Sequence, residues 1–412
     1  MALNLAAFDK VLKLQYLPGI KDQLNWKTVA LSRFQRRGKD DPNIQFVGKQ
    51  AVMALGTGGN EGIGNRADGG TLPAAGNQLY DQATWDMRYS YARIQVTGPT
   101  IKAARNNAGA YIRAVDSEIK GAVRNLKADS NRQLLGPGNG ILSMCGTTTA
   151  STTVVVTSTK NIRKNMIVDI IVASSGATGT GGVSRTVTSV PSATTFVISG
   201  AAITTDVTFA VYREGNRILE TFGLVNLNEA NPTQGAPVFG GLNRSTAGNE
   251  YWKGNRLNNT GTARSISNSL MQTAQDTAAI NGEGEISLIL TNQATMRAWG
   301  DYLFAKKQFF NSQTLKGGYD FIPFNNIPVV ADKDLNTDPA NSFFPAARRL
   351  YFLDESTMGL IEMSDWDWMD EDGAILSRVS GQDAYEAVLF KYWNFYCERP
   401  AASCILDDIT EG

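Results

Sequence analysis

One long amphipathic helix is the feature that most constrains how this chain can fold. Across residues 107–135 apolar side chains recur every three or four positions, which places them on one stripe of a helix. They are Ile112, Val115, Ile119, Ala122, Val123 and Leu126. The sequence Gly136-Pro137-Gly138 then ends the helix. At 1.5 Å per residue the helix is roughly 40 Å long. Its single stripe predicts packing across a sheet rather than burial inside a core.

The segments on both sides of this helix predict β-structure. Residues 46–96 begin and end with strand-like runs around the stretch GTGGNEGIGNRADGGTLPAAGNQ. That arrangement predicts a long β-hairpin with a flexible, glycine-rich tip. Residues 147–213 are dense in Thr, Ser, Val and Gly and hold about five short β-type runs. They predict a small all-β module, a barrel or a sandwich, with its edges near Gly146 and Gly215.

The rest of the chain mixes helices and strands without a regular repeat. Residues 218–262 lack periodicity and predict an ordered irregular loop. We expect one helix over 267–279 and a second from the Asn292 cap to about Phe309, with Met296, Trp299 and Leu303 facing inward. Strands are expected over 286–290, 328–332, 349–353, 357–362, 374–380, 385–397 and 403–409. The predicted class is therefore α+β.

The residue types that usually carry chemistry are scarce. The chain has no histidine, which removes the commonest general base and the commonest metal ligand. Lysine- or carboxylate-based chemistry remains open. Cys145, Cys397 and Cys404 form no CxxC motif and predict free thiols in a reducing compartment. We expect a protein that is not an enzyme, with no catalytic, cofactor or metal site.

Three motifs that invite a chemical reading have the wrong spacing. The glycine-rich tract near Gly56 lacks a Gly-Lys-Ser/Thr sequence and precedes a strand rather than a helix, which argues against nucleotide binding. The acidic stretch 364–373 departs from a calcium loop, since counting from Asp365 puts Leu376 where the bidentate Glu belongs. It predicts an acidic turn between strands. The aromatic run 392–396 alternates like the two faces of a buried strand rather than a base-stacking surface.

Membrane and secretion signals are also lacking. No stretch approaches the ~20 uninterrupted apolar residues of a membrane-spanning helix. The segment MALNLAAFDKVLKLQ predicts an amphipathic helix rather than a signal peptide. We expect folding in a cytoplasm and no membrane partner.

Charge is unevenly placed although the formal net charge is zero. Residues 1–40 hold eight basic and three acidic residues, a net charge of +5, whereas residues 354–372 hold eight acidic residues and no basic one. A neutral total argues against a dedicated nucleic-acid binder. Two explanations stay open: two unrelated solvated faces, or an arm of one subunit that meets an acidic face of the next. The candidate contact residues are Arg33, Arg36 and Arg37 with Asp370, Glu371 and Asp372.

The order of these parts resembles the major capsid proteins of tailed bacteriophages, whose fold is called Hong Kong ninety-seven-like. Three local stretches resemble that family as well: RQLLGPGNGIL (132–142), FGGLNRSTAGNEYW (239–252) and YDFIPFNNIPVVAD (319–332). The resemblance implies this division of the chain: N-terminal arm 1–45, extended hairpin loop 46–96, peripheral domain with spine helix 97–145, inserted β-domain 146–216, axial domain 217–353, second part of the peripheral domain 354–398, and last axial strand 399–412.

The resemblance implies a shell subunit of the virion capsid, assembled in the cytoplasm of a bacterial host. Such subunits form pentamers and hexamers that enclose double-stranded DNA without sequence-specific binding. The short arm implies a separate scaffolding protein, and a portal and decoration proteins are further candidate partners. Covalent cross-links are not expected, because Lys49 lies at the hairpin base and residues 354–385 contain no Asn. An encapsulin-like nanocompartment shell and a phage tail or adhesin protein stay open as alternatives.

Overall fold

The computed structural model describes residues 29–99, 108–227, 238–306, 313–315, 319–335, 348–370 and 373–410. The amphipathic helix expected at the start of the chain lies outside these residues. So do Glu371 and Asp372.

The chain enters the fold through a short helix and a predicted hairpin. Helix α1 (Val29–Arg33) is followed by strands β1 (Gln35–Arg37), β2 (Gln45–Val47), β3 (Gln50–Gly58) and β4 (Leu79–Asp86). Strands β2, β3 and β4 form an antiparallel sheet, and β3 pairs with β4 along its whole length. The expected hairpin is therefore confirmed, with residues 59–78 as its tip.

The second strand-like run of the expected hairpin forms two strands in different sheets, which the sequence does not indicate. The strand-like run continues to residue 96, but the structure breaks it at Met87, where the backbone N–H of Met87 donates to the carbonyl of Lys49 at 3.0 Å. Strand β5 (Arg88–Thr97) then belongs to a different sheet. The alternating pattern is the same on both sides of Met87, so only the pairing partners separate β4 from β5.

The long helix forms as predicted. Helix α2 (Ala108–Leu135) ends just before Gly136. Its Ile119 and Val123 are buried against Ile94 and Val96 of β5. The helix lies across a sheet, as its single apolar stripe predicts.

The β-module after the helix is larger than expected. It contains eight strands, and its main sheet has the order β6-β13-β9-β10-β11-β8, with β7 and β12 as a separate pair. The strands are β6 (Ile141–Met144), β7 (Thr148–Ser151), β8 (Thr153–Val155), β9 (Ile167–Val172), β10 (Gly182–Ser189), β11 (Thr195–Ile198), β12 (Ile203–Thr205) and β13 (Phe209–Arg213). Strand β6 precedes Gly146 and joins the sheet because it pairs with β13. A core that includes Val154, Val168 and Phe196 lies inside the module.

In the segment expected to be an irregular loop, the described residues 218–227 and 238–262 form only short elements. Single 3-10 turns cover Leu224–Leu227 and Glu250–Trp252. Three short strands are also present: β14 (Val238–Phe239), β15 (Leu242–Asn243) and β16 (Asn255–Leu257).

The next part alternates helices and strands. Helices α3 (Asn268–Gly282) and α4 (Gln293–Ala305) are capped by Ser267 and Asn292, whose side chains accept from the backbone N–H of Leu270 and Thr295. Helix α4 ends before the expected Phe309. Trp299 and Leu303 are buried in it, and Met296 is half-buried. The strands are β17 (Leu288–Thr291), β18 (Gln313–Leu315), β19 (Tyr319–Phe324), β20 (Ile327–Ala331) and β21 (Leu350–Leu353).

The C-terminal strands complete two sheets. They are β22 (Met358–Trp368), β23 (Ser377–Arg378), β24 (Ala384–Cys397) and β25 (Cys404–Leu406). One sheet has the order β16-β25-β21-β17-β20-β19-β18, and the other runs β1-β22-β24-β23 with β5 also paired to β24. The acidic turn expected over residues 364–373 is wrong in its first part, because strand β22 continues to Trp368. Trp366 and Trp368 are buried on one face of this strand.

A large hydrophobic core links these parts. It joins α1, the hairpin base, the end of α2 and both sheets, with Trp85, Leu134, Tyr351 and Phe395 among its members. None of the helices in the described stretches is long and apolar enough to cross a membrane.

Candidate assembly surfaces

The arginines of the arm lie beside carboxylates of their own chain. Strand β1 pairs in parallel with β22, with Gln35 opposite Gly359. The Arg33 Nε donates to Glu355 Oε1 at 2.6 Å, and this hydrogen bond raises the pKa of Arg33. Arg36 Nη1 lies 3.7 Å from Glu362 Oε1.

Arg37 completes this set of contacts. It pairs with Glu398, and its Nε lies 3.5 Å from Asp41 Oδ2. Its guanidinium also lies over the ring of Tyr396, 5.1 Å from the centroid. The arm is thus held by one three-residue strand and by ion pairs on both of its faces.

The structure pairs the predicted arginines with acidic residues that the sequence does not single out. Two of the partners, Glu355 and Glu362, belong to the acidic segment 354–372, but Asp370 makes no ion pair with Arg33 or Arg37 in the described chain. Glu371 and Asp372 lie outside the described residues. The register between β1 and β22 decides these pairs, and no local signal reveals it. The contact between neighbouring subunits stays a prediction.

A buried lysine neutralises part of the acidic segment. Lys391 Nζ lies 2.6 Å from Glu362 Oε1 and 3.7 Å from Asp365 Oδ1. The same ammonium group faces the rings of Trp366 and Trp393, at 5.7 and 5.3 Å from their centroids. Burial lowers the pKa of Lys391, and the charge of Glu362 opposes that effect. Three of the eight acidic residues counted along the sequence, Glu355, Glu362 and Asp365, therefore lie beside cations inside the fold.

The hairpin is fixed at its base and exposed beyond it. The indole of Trp85 packs edge-on against Phe239, with centroids 4.7 Å apart. Gly240 has φ +57°, and a Cβ there would lie 2.8 Å from Trp85. Tyr251 donates its hydroxyl to Asp81 at 2.7 Å. The stretch 239–252, noted for its resemblance to capsid proteins, is therefore the seat of the hairpin.

The hairpin tip presents apolar side chains to solvent. Ile63 and Leu72 of the tip are each 81% exposed, and Tyr80 at the start of the adjoining strand β4 is 75% exposed. Exposed apolar side chains that are grouped on one projection are typical of a surface that contacts another molecule.

A polar joint connects the β-module to helix α2. Asp129 pairs with Arg132 of the same helix and with Arg213 of β13, at 3.1 and 3.2 Å. Burial acts to raise the pKa of Asp129, but the two guanidinium groups outweigh it and hold the pKa at about 2. Arg132 also pairs with Glu220, whose pKa is raised by burial.

Two further contacts of the module are also polar. Arg163 Nη1 donates to Asn125 Oδ1 at 2.8 Å, and Lys160 Nζ donates to the carbonyl of Lys333 at 2.7 Å. The module is thus attached to its host largely by charged and hydrogen-bonded groups.

The three thiols are buried, and the described residues form no cluster that could hold a metal ion. Cys145, Cys397 and Cys404 are buried free thiols, and burial raises the pKa of each to about 12. Buried thiols with raised pKa are poor nucleophiles. Within the described ranges, no group of three or more Cys, Asp or Glu residues is placed to hold a metal ion.

The arrangement of helix α2, the hairpin and the two sheets has a solved counterpart. The capsid asymmetric unit of cyanophage A-1(L) is similar over 88% of this chain and 88% of that chain, with 13% identity and a TM-score of 0.52. This chain has the phage-capsid fold. The α+β class and the fold expected from the resemblance are confirmed.

Other structures similar to this capsid fold include shells of two kinds. The capsid of an empty GTA particle is 11% identical, with 93% of this chain and 97% of that chain covered and a TM-score of 0.47. The holo-SrpI encapsulin of Synechococcus elongatus PCC 7942 is 10% identical, covers 81% of this chain and 78% of its own, and has a TM-score of 0.41. No family model and no curated protein sequence matches the chain.

Proposed function

We propose that this chain is a major capsid protein: a structural subunit, not an enzyme, that assembles with copies of itself into the icosahedral head of a phage. The observation that carries the proposal is the capsid fold, shared with the cyanophage subunit over 88% of both chains. The exposed apolar hairpin tip adds support, because it offers a surface that the single chain does not cover.

Assembly uses contacts between unlike surfaces of identical subunits, which close into rings of five or six. In this proposal the hairpin lies over one neighbour, and residues 217–353 with 399–412 form the axial domain at the ring centre. Residues 97–145 and 354–398 form the peripheral domain, and residues 146–216 form the inserted domain. The proposal includes a contact between subunits, in which Arg33, Arg36 and Arg37 meet Asp370, Glu371 and Asp372 of a neighbour. The same arginines pair with carboxylates of their own chain, so the two sets of contacts compete.

The other partners follow from the same role. The head encloses double-stranded DNA without reading its sequence, is assembled in the cytoplasm of a bacterial host, and uses a separate scaffolding protein, a portal and decoration proteins. The formal net charge of zero supports a shell that encloses DNA without binding it tightly, since each contact of a Lys or Arg with a phosphate would add affinity.

The test is electron microscopy of the purified chain, expressed alone and with its neighbouring genes. Closed icosahedral shells that protect DNA from nuclease support the proposal. Shells filled with a cargo enzyme support an encapsulin-like compartment instead, and trimers or open tubes support a tail or adhesin protein.

A further inference from the structure

A trench runs between strand β5 and helix α2. On one edge β5 pairs with β24, and no other strand in the described stretches pairs with its second edge. Two adjoining cavities of about 450 and 460 Å³ follow that second edge, the first beside residues 91–95 and the second beside residues 87–91. Because consecutive residues from both faces of the strand line the cavities, the backbone edge itself faces the trench. Residues 118–133 of α2 form much of the opposite wall.

The exposed edge is well suited to accept another strand. A strand edge presents unpaired N–H and C=O groups, and proteins usually protect long edges with proline, a bulge or a covering segment. Strand β5 is ten residues long and contains no proline. Its free edge therefore offers a continuous backbone ladder to an extended partner.

Helix α2 has small residues where it faces the unpaired edge of β5. Gly121 lies in the middle of α2, where a glycine costs about 0.5–1 kcal/mol relative to alanine. A Cβ at this position would meet no atom within 4 Å, and the backbone does not have positive φ. The packing of the chain itself does not require a glycine there. Together with Ala122, the missing side chain leaves room for a backbone to approach.

One end of the trench holds a cation that lacks a carboxylate. The guanidinium of Arg88 lies over the ring of Phe222, 5.8 Å from the centroid, and its buried Nε has no hydrogen-bonding partner. No carboxylate of the described residues forms an ion pair with it, whereas Arg213, which lines the same cavity, is paired with Asp129. Burial lowers the pKa of Arg88 more than the nearby charge of Asp86 raises it, so an arriving carboxylate would stabilise the charged guanidinium.

We propose that this trench binds an extended segment of a separate polypeptide by β-strand addition. The backbone of the segment pairs with residues 88–95, a small or apolar side chain lies over Gly121, and an acidic side chain pairs with Arg88. This partner goes beyond the proposed self-assembly, because it is not another copy of the chain.

The exposed loop of this protein is a poor candidate for the same trench. Residues 59–78 contain six glycines and Pro73, residue types that are depleted in strands. Strand addition favours β-branched residues, so a different polypeptide fits the site better.

The test uses peptides selected from a random dodecapeptide library against the unassembled, purified chain. Their affinities are measured by fluorescence anisotropy for the wild type, Gly121→Phe, Arg88→Gln and Gly59→Phe. Gly59 is the matched control, since a side chain there also meets open space but lies outside the trench. We expect selected peptides to contain an acidic residue and to bind both trench variants about tenfold or more weakly, with Gly59→Phe unchanged.

Hydrogen exchange decides where the peptides bind. Amides of residues 88–95 should become protected when peptide is added. If no peptide is selected, or if the selected peptides bind Gly121→Phe as well as wild type, the proposal is overturned. Protection of these amides on self-assembly alone would place a second copy in the trench and would also overturn it. Since peptide binding is measured on the unassembled chain, its failure is distinct from a failure to form shells.

Discussion

The ammonium nitrogen of Lys391 lies 2.6 Å from a carboxylate oxygen of Glu362, and only 1% of the lysine is exposed. This pair joins β24 to β22, and Arg36 of the arm approaches the same carboxylate. Strand β22, which pairs with strand β1 of the arm, is therefore joined to β24 by a buried ion pair.

Removing one member of this pair should be much worse than removing both. Glu362→Gln removes the carboxylate that lies 2.6 Å from the buried ammonium and should lower the free energy of unfolding by ~3–5 kcal/mol. The double variant Glu362→Gln, Lys391→Met should recover most of that loss, because no charge remains buried. Urea unfolding of the two single variants and the double variant measures the coupling. Equal losses in Glu362→Gln and the double variant would contradict the argument.

The joint of the β-module should make stability depend on acid. The folded-state pKa of Asp129 is about 2, below the ordinary value of 3.8, so its stabilisation is complete above about pH 4 and is lost as pH falls towards 2. The expected loss is about 2–3 kcal/mol. Asp129→Asn should flatten this part of the curve, whereas the exposed Asp301→Asn should not. Urea unfolding between pH 2 and 5 tests this, and an unchanged slope in Asp129→Asn would disprove it.

The seat of the hairpin should tolerate no side chain at Gly240. Gly240→Ala combines a positive φ with a Cβ that would lie 2.8 Å from Trp85, so a loss of ~1–3 kcal/mol is expected. Gly248→Ala is the matched control, since Gly248 also has positive φ but faces open space. The difference between the two free energies of unfolding isolates the contact with Trp85. A similar loss in both variants would show that only backbone strain matters.

The arm arginines should matter more to assembly than to folding. Replacing Arg33, Arg36 and Arg37 by Ala removes partly buried ion pairs but leaves the apolar residues of α1 in the core, so the subunit should stay folded while shells form slowly or not at all. In the wild type, raised salt should weaken these contacts. Light scattering across salt concentrations, with circular dichroism for folding, measures both effects. Normal assembly of the triple variant at every salt concentration would remove the arm from the mechanism.

Charge reversal separates the two possible partners of the arm. In a background with Arg33 and Arg37 changed to Glu, Glu355→Lys with Glu398→Lys should restore assembly if the pairs within the chain are what counts. Glu362 is left unchanged because it pairs with the buried Lys391. Asp370→Lys, Glu371→Lys and Asp372→Lys should restore it if the contact between subunits is what counts. If neither set of charge reversals restores assembly, the arginines and carboxylates only face solvent and do not contribute to assembly.

The hairpin tip should become ordered only in shells. Residues 59–78 are rich in glycine, so ordering them costs more backbone entropy than ordering most segments of this length. Hydrogen exchange should show little protection of the tip in the isolated subunit and clear protection in the shell. The amides of β3 near Gln50 provide the control, since they are paired in both states. Equal protection of the tip in both states would contradict the proposed contact.

Local signals in the sequence determined the elements whose hydrogen bonds join residues that are near each other along the chain. The stripe of apolar residues and Gly136 set helix α2, and the side chains of Ser267 and Asn292 set the starts of α3 and α4. The two β-runs around a glycine-rich stretch likewise determined the hairpin. Tertiary structure alone decided which strands pair: the break at Met87, the entry of Ile141–Met144 into the module, and the pairing of β1 with β22. A strand alternates with period two whichever neighbour it has, so its partner depends on residues far along the chain. The partners of Arg33 and Arg37, at Glu355 and Glu398, follow from those distant pairings, because the ion pairs form only after the strands have chosen their register.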